Sequence, residues 1–171
     1  MYALKFILLL AVFGTSTVIG ILISKKYSNR VKILKDLRNA LNIFEVKINF
    51  SYETIPEIFK EISEKIKGTA GKIFGDTVKN INDENMIAGE AWEKSLENNG
   101  EALKQEDVNC LKSLGKLLGK TDVEGQINQI KLVCTFLEKQ INDANEDRGK
   151  NEKMYQKLGA IVGLIIVIVL I

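Results

Sequence analysis

Histidine is absent from this chain, and with it the commonest general base and the commonest metal ligand. There are two cysteines, Cys110 and Cys134, which form neither a C-x-x-C pair nor a disulfide framework. Each falls among apolar positions of a helical stretch and reads as a small buried hydrophobe. Proline occurs once, at Pro56, and aromatic residues make up 7% of the chain. Long helices fit that scarcity better than a turn-rich β architecture does. No Gly-rich loop of the P-loop or dinucleotide type is present, so a nucleotide has no phosphate cradle. Serine nucleophiles lack a base, and no spacing singles out a carboxylate acid and base. A metal would have to be held by carboxylates alone. The expectation is therefore no catalytic site, no cofactor, no metal and no small-molecule substrate.

Charge is also missing from two long stretches. Phe6 to Ile23 and Leu158 to Ile171 contain none. Eighteen helical residues rise about 27 Å, close to the thickness of a bilayer's hydrocarbon core. The second run reaches a similar length when counted from Met154, with Tyr155 and Lys157 at the interface. The first run follows Lys5 as a signal peptide would. It has no small-x-small cleavage site before Lys25 and Lys26, and it exceeds a usual apolar signal core. Both runs read as membrane anchors, over 1–24 and 154–171. Ser16 and Gly20, and Gly159 and Gly163, have the small-x-x-x-small spacing that lets helices pack closely in a membrane.

The net charge of +2 hides an asymmetry. Residues 1–46 carry seven basic side chains against two acidic ones, a balance of +5. Residues 147–171 add +2, which leaves −5 for the middle. Lys25, Lys26 and Arg30 follow the first anchor, and Arg148, Lys150, Lys153 and Lys157 precede the second. Only Lys5 and the amino terminus oppose them. By the positive-inside rule, both inner flanks and the domain between them, 25–153, face the cytoplasm. The cysteines are then reduced. Nucleic acid is excluded as a partner of the acidic middle, because phosphate binding needs a basic face.

The middle is patterned as helices. Val31, Leu34, Leu37, Leu41, Phe44 and Ile48 recur at steps of three and four. So do Val123, Ile127, Ile130, Cys134, Leu137, Ile141 and Ala144, after a Thr121–Glu124 capping box. Running into the two anchors, these two long helices should be antiparallel neighbours. Between them, Thr54 and Glu57 cap a helix over Ile55 to Lys67, with Pro56 in its first turn. A third helix carries Ile73, Phe74, Val78 and Ile81 and is expected to break at Asn82-Asp83. A fourth runs about 86–98 and a fifth about 104–118. No useful run alternates with period two. The fold class is all-α, a compact six-helix bundle flanked by two transmembrane helices.

Residues 83–107 hold eight acidic side chains against Lys94 and Lys104, a balance of −6. Glu90, Glu93 and Glu97 share a helix face, and Glu101, Glu106 and Asp107 continue the acidic stretch. A solvated face and a docking surface for a basic partner both fit this pattern. Lys112, Lys116 and Lys120 make a smaller basic stripe that reads as solvated. Trp92, beside Ala88, Ala91 and Leu96, reads as core.

Several strings fall in a telling order. They are Leu37-Arg38-x-x-Leu41, Thr54-Ile55-Pro56, Ala91-Trp92-Glu93-Lys94-Ser95-Leu96 after a glycine, Leu114-Gly115-Lys116-Leu117-Leu118-Gly119-Lys120-Thr121-Asp122, and Tyr155-Gln156-Lys157-Leu158-Gly159. Taken together over essentially the whole chain, they resemble the stage III sporulation protein AB family of endospore-forming bacteria. That family in turn looks like one copy of the cytoplasmic domain of the type II secretion and type IV pilus platform protein. The resemblance implies a non-enzymatic platform subunit of the channel between mother cell and forespore. Its implied partners are a cytoplasmic secretion-type ATPase and other stage III channel proteins, and its implied place is the mother-cell membrane around the forespore. Platform proteins carry two such domains and more spans, and their Gly-Glu-x-x-Gly-like turn stands here as Gly119-Lys120-Thr121-Asp122. A membrane-tethered adaptor for a soluble client is the alternative.

The orientation is open to a direct test. An impermeant thiol reagent applied to intact cells should leave surface cysteines in the middle region unmodified, and labelling there would overturn it.

Overall fold

The computed structural model describes residues 2–51 and 53–170. Met1, Tyr52 and Ile171, and the side chains of Tyr2, Ala3, Lys5 and Phe6, lie outside the described residues. So do the opposing charge expected at Lys5 and the amino terminus, and the last residue of the second apolar run. Six helices follow one another: α1 (Tyr2–Phe50), α2 (Ile55–Lys65), α3 (Gly68–Glu84), α4 (Ala88–Asn99), α5 (Gln105–Gly115) and α6 (Val123–Leu170). Among the described residues there is no strand. The chain divides into two compact units, Met1–Val31 with Asp143–Ile171, and Lys32–Asn142.

The first unit pairs the apolar stretches of α1 and α6. Their outward residues, among them Leu10, Ile19, Leu22, Ile161 and Ile165, are exposed. Both helices are long and apolar enough to cross a membrane, and only 11% and 6% of their most apolar windows are buried. A soluble core helix would be mostly buried, so these are candidate membrane spans. The inward positions are small. A Cβ added at Gly20 would lie 2.8 Å from the Gly159 Cα, and one added at Gly159 would lie 2.9 Å from the Ser16 carbonyl oxygen. Only glycine lets two backbones approach so closely. The Ser16 hydroxyl donates to the Gly159 carbonyl at 2.8 Å, replacing a bond that lipid cannot supply.

The second unit buries the stripes. Leu34, Leu37, Leu41 and Phe44 of α1 and Ile130 and Leu137 of α6 are buried, whereas Val123 is exposed and Ile127 and Ile48 are half-buried. Val133 is buried in place of the half-buried Cys134, because these consecutive residues straddle the edge of one stripe. Here too α1 and α6 run antiparallel: Arg38 faces Glu138 at 3.5 Å and Glu45 faces Lys131 at 3.7 Å. At the centre, Phe59 lies edge-on to Phe44 and Phe74, with ring centroids 5.0 and 4.8 Å away, and Phe74 is edge-on to Trp92 at 5.1 Å. Edge-to-face geometry brings the positive rim of one ring to the negative face of the next. Trp92 is fully buried, and its indole N–H donates to the Leu111 carbonyl at 2.8 Å.

Helix ends follow local chemistry. The Glu57 carboxylate accepts the Thr54 N–H at 2.7 Å and its hydroxyl at 2.8 Å, which caps α2 and holds the Glu57 carboxyl below its ordinary range. Lys47, near the end of α1, reaches Glu61 of α2 at 2.6 Å and Glu53 at 3.1 Å. Four expectations need correction. Helix α2 ends at Lys65, short of Lys67. Asn82-Asp83 do not break α3, which runs to Glu84 and stops at Asn85 in the left-handed region (φ 52°). Helix α5 ends at Gly115 rather than near 118, and tighter three-residue turns follow it. The cap of α6 is Asp122, whose carboxylate accepts the Gly125 N–H at 2.9 Å, and not the Thr121–Glu124 box. Gly119, at φ +71°, turns the chain into that cap, and Asp then sits one residue nearer to the exposed amides than Thr121 does.

Between α3 and α4 a buried polar network replaces apolar packing. The Asn80 amide donates to the Ala91 carbonyl and the Ser95 hydroxyl, at 3.3 and 3.1 Å, and Ser95 donates to Ala91 at 2.8 Å. Thr77 is satisfied by the Ile73 carbonyl at 2.7 Å.

Replacing Trp92 by Ala removes the largest ring of the aromatic cluster and should cost about 3–5 kcal/mol. Trp92→Phe loses chiefly one hydrogen bond and should cost about 1 kcal/mol. Urea unfolding followed by circular dichroism measures both, and equal costs would contradict this packing.

Candidate partner-docking surface

Helices α4 and α5 carry the acidic stretch, and the way they pack decides which acids face outward. Gly89 of α4 lies against Gly115 of α5, where a Cβ on Gly89 would stand 2.3 Å from the Gly115 carbonyl oxygen. A Cβ on Gly115 would meet the Trp92 ring at 2.9 Å. With Ala91, Trp92, Ser95 and Leu96 buried, the opposite side of α4 presents Glu90 and Glu97 to solvent. Glu93 is half-buried at the flank of Gly115. Glu101 and Glu106 are exposed on the connection and on the first turn of α5.

Asp107 does not belong to this face. It is fully buried, and its carboxylate accepts the Lys104 N–H at 2.9 Å, closing the start of α5. Its place three residues after the helix cap makes it a capping acid rather than a docking one.

The surface is less negative than the sequence balance implies. Lys112 of α5 reaches Glu97 at 2.5 Å, and Lys94 pairs with Glu84 of α3. Glu97 holds the Lys112 ammonium above its ordinary pKa. Glu90, Glu101 and Glu106 take part in none of the described ion pairs. Glu97 and Glu101 line a groove of about 420 Å³ together with Gln105, Lys112, Leu103 and Val108. Exposed carboxylates in and beside a mostly polar groove suit a basic segment. Lys116 and Lys120 are exposed.

The two cysteines are half-buried rather than buried. Burial pushes both thiols up to about 11, so at neutral pH they are protonated and weakly nucleophilic. The Cys134 thiol lies 3.6 Å from the Asn42 side-chain oxygen Oδ1. Among the described residues, no group of three His, Cys, Asp or Glu side chains is placed to hold a metal ion.

In the first unit, Gly159 and Gly163 both face α1. A Cβ on Gly163 would come 3.1 Å from the Ser16 Cβ and 3.2 Å from the Phe13 ring. Below them the pairing turns polar, in contacts the sequence did not single out. Gln156 donates to the Ser24 hydroxyl at 3.3 Å, Tyr27 stacks on Tyr155 with centroids 5.7 Å apart, and Arg30 faces Asp147 at 3.5 Å. Their signal was polar residues bordering the two apolar runs, legible only once the register of α1 against α6 in this unit is known.

The family model for stage III sporulation protein AB matches residues 5–171. The stage III sporulation protein AB of Bacillus subtilis (strain 168) is 29% identical over 153 residues, which span 88% of this chain and 90% of that protein. A solved structure of stage III sporulation protein AB superposes with a TM-score of 0.66 at 26% identity, covering 71% of this chain and 98% of the other. With the match running through both apolar helices and the bundle between them, this chain belongs to the stage III sporulation protein AB family.

Proposed function

We propose that the chain is a non-enzymatic assembly subunit of the channel between mother cell and forespore, held in the membrane by two spans. Its bundle lies in the mother-cell cytoplasm and docks a basic surface of a secretion-type ATPase. The observation that carries this reading is the set of exposed carboxylates on α4, on the first turn of α5 and on the connection between them, with Glu97 and Glu101 lining one groove. Complementary charge of this kind steers encounter and fixes the register of docking. Membership of a sporulation family supports the stage at which the chain acts. The cytoplasmic side is supported by the basic residues that flank both spans, Lys25 and Lys26 on α1 and Lys150, Lys153 and Lys157 on α6.

Charge reversal at Glu90, Glu97 and Glu101 tests the docking face, and it leaves the half-buried Glu93 and the buried Asp107 in place. The combined Glu→Lys variant should stay folded with only a small fall in thermal midpoint, because all three side chains are exposed and the one ion pair lost, Glu97 with Lys112, lies at the surface. Its affinity for the ATPase should fall on the order of a hundredfold, since like charges set opposite one another cost several kcal/mol. Undiminished co-purification from sporulating cells would remove the acidic face from the account.

A further inference from the structure

The strongest uncompensated positive charge lies in the unit built from Met1–Val31 and Asp143–Ile171. The contacts of Ser24 with Gln156 and of Tyr27 with Tyr155 fix one level across the two helices. Lys25 and Lys26 lie at that level on α1, and Lys153 and Lys157 lie within two residues of Tyr155 on α6. All four are exposed. The acids nearest to that level are engaged elsewhere: Asp147 with Arg30 at 3.5 Å, Glu152 with Arg148 at 3.1 Å and Glu146 with Lys150 at 3.5 Å, while Asp143 lies ten residues before Lys153. None of the four lysines takes part in a described ion pair.

Four ammonium groups around one level repel each other unless an anion shares that level. Directly beyond them the surface turns apolar, at Ile21 and Leu22 on α1 and at Leu158, Ile161 and Val162 on α6. The stacked tyrosines sit at this border, where amphipathic rings settle at headgroup depth. A soluble anion or an acidic protein segment would satisfy the charges and leave the apolar surface bare. A phospholipid satisfies both, with its acyl chains along the helices and its phosphate under the ammonium groups.

We propose that Lys25, Lys26, Lys153 and Lys157 form a belt that binds the phosphates of anionic phospholipids at the basic ends of the two spans. This rests on the reading that the apolar stretches of α1 and α6 cross a bilayer. The long lysine stems run along apolar surface and carry the charge out to the headgroups. Each lysine beside an anionic surface favours it on the order of fivefold, and salt screens the effect.

The test uses the full chain in detergent, supplied with equal amounts of phosphatidylglycerol and phosphatidylcholine, with retained lipids counted by native mass spectrometry. The native chain should keep phosphatidylglycerol by on the order of tenfold or more over phosphatidylcholine. Combined Lys25→Gln, Lys26→Gln, Lys153→Gln and Lys157→Gln should bring the ratio close to one. The four Lys→Arg changes should restore it. Lys→Gln at the exposed Lys60, Lys72, Lys116 and Lys120 removes the same charge elsewhere and should leave the ratio unchanged. Insertion is measured in parallel as carbonate-resistant association with vesicles of each lipid. Equal retention of both lipids by an inserted native chain overturns the belt and leaves the spans standing. A native chain that inserts into neither vesicle overturns the spanning reading and the belt with it.

Discussion

Where Gly20 meets Gly159, two helix backbones come close enough that a methyl on either would overlap the other. In lipid there is no hydrophobic drive between helices, so association rests on this kind of close fit and on hydrogen bonds such as that from Ser16 to the Gly159 carbonyl. The contact sets the register of α1 against α6 in its unit. Ser24 then finds Gln156, Tyr27 finds Tyr155 and Arg30 finds Asp147. In the unit Lys32–Asn142 the same two helices run antiparallel, paired by Arg38–Glu138 and Glu45–Lys131.

That pairing explains why four short helices suffice between two long ones. Helices of 11, 17, 12 and 11 residues are marginal alone. They gain stability from the stripe of Leu34, Leu37, Leu41 and Phe44, onto which Phe59, Phe74 and Trp92 pack as one aromatic cluster. Packing is closest where small residues permit it, at Gly89 against Gly115, and this side of α4 is spent on the core. Its acidic residues are left on the other side. The acidic face is thus a by-product of which residues the core requires.

Much of this was legible in the sequence. Steps of three and four marked the helices, the Thr54–Glu57 box marked the start of α2, and Ser16, Gly20, Gly159 and Gly163 stood out by size. What escaped was whatever depends on a partner distant in the chain or on a single residue of phase. Asp107 reads as one more surface acid until the start of α5 is fixed one residue after Lys104, and then it is a buried cap. Thr121 and Asp122 are both good capping residues, and only the turn at Gly119 decides between them. The Asn80–Ser95 network was invisible, because an Asn beside a predicted helix break reads as a surface residue. Lys112 reads as part of a solvated stripe, although it neutralises Glu97 across the groove.

The central claim is that α1 and α6 pair within one chain along their apolar stretches. Disulfide cross-linking in native membranes tests it most directly, with Ser24→Cys and Gln156→Cys introduced after Cys110→Ser and Cys134→Ser. Mild oxidation should give a rapidly closed, cyclised monomer on a denaturing gel, and the Ile19→Cys with Gln156→Cys pair, whose first position faces outward, should stay open. Cross-linked dimers in place of the cyclised monomer, or equal reaction of the two pairs, would contradict it.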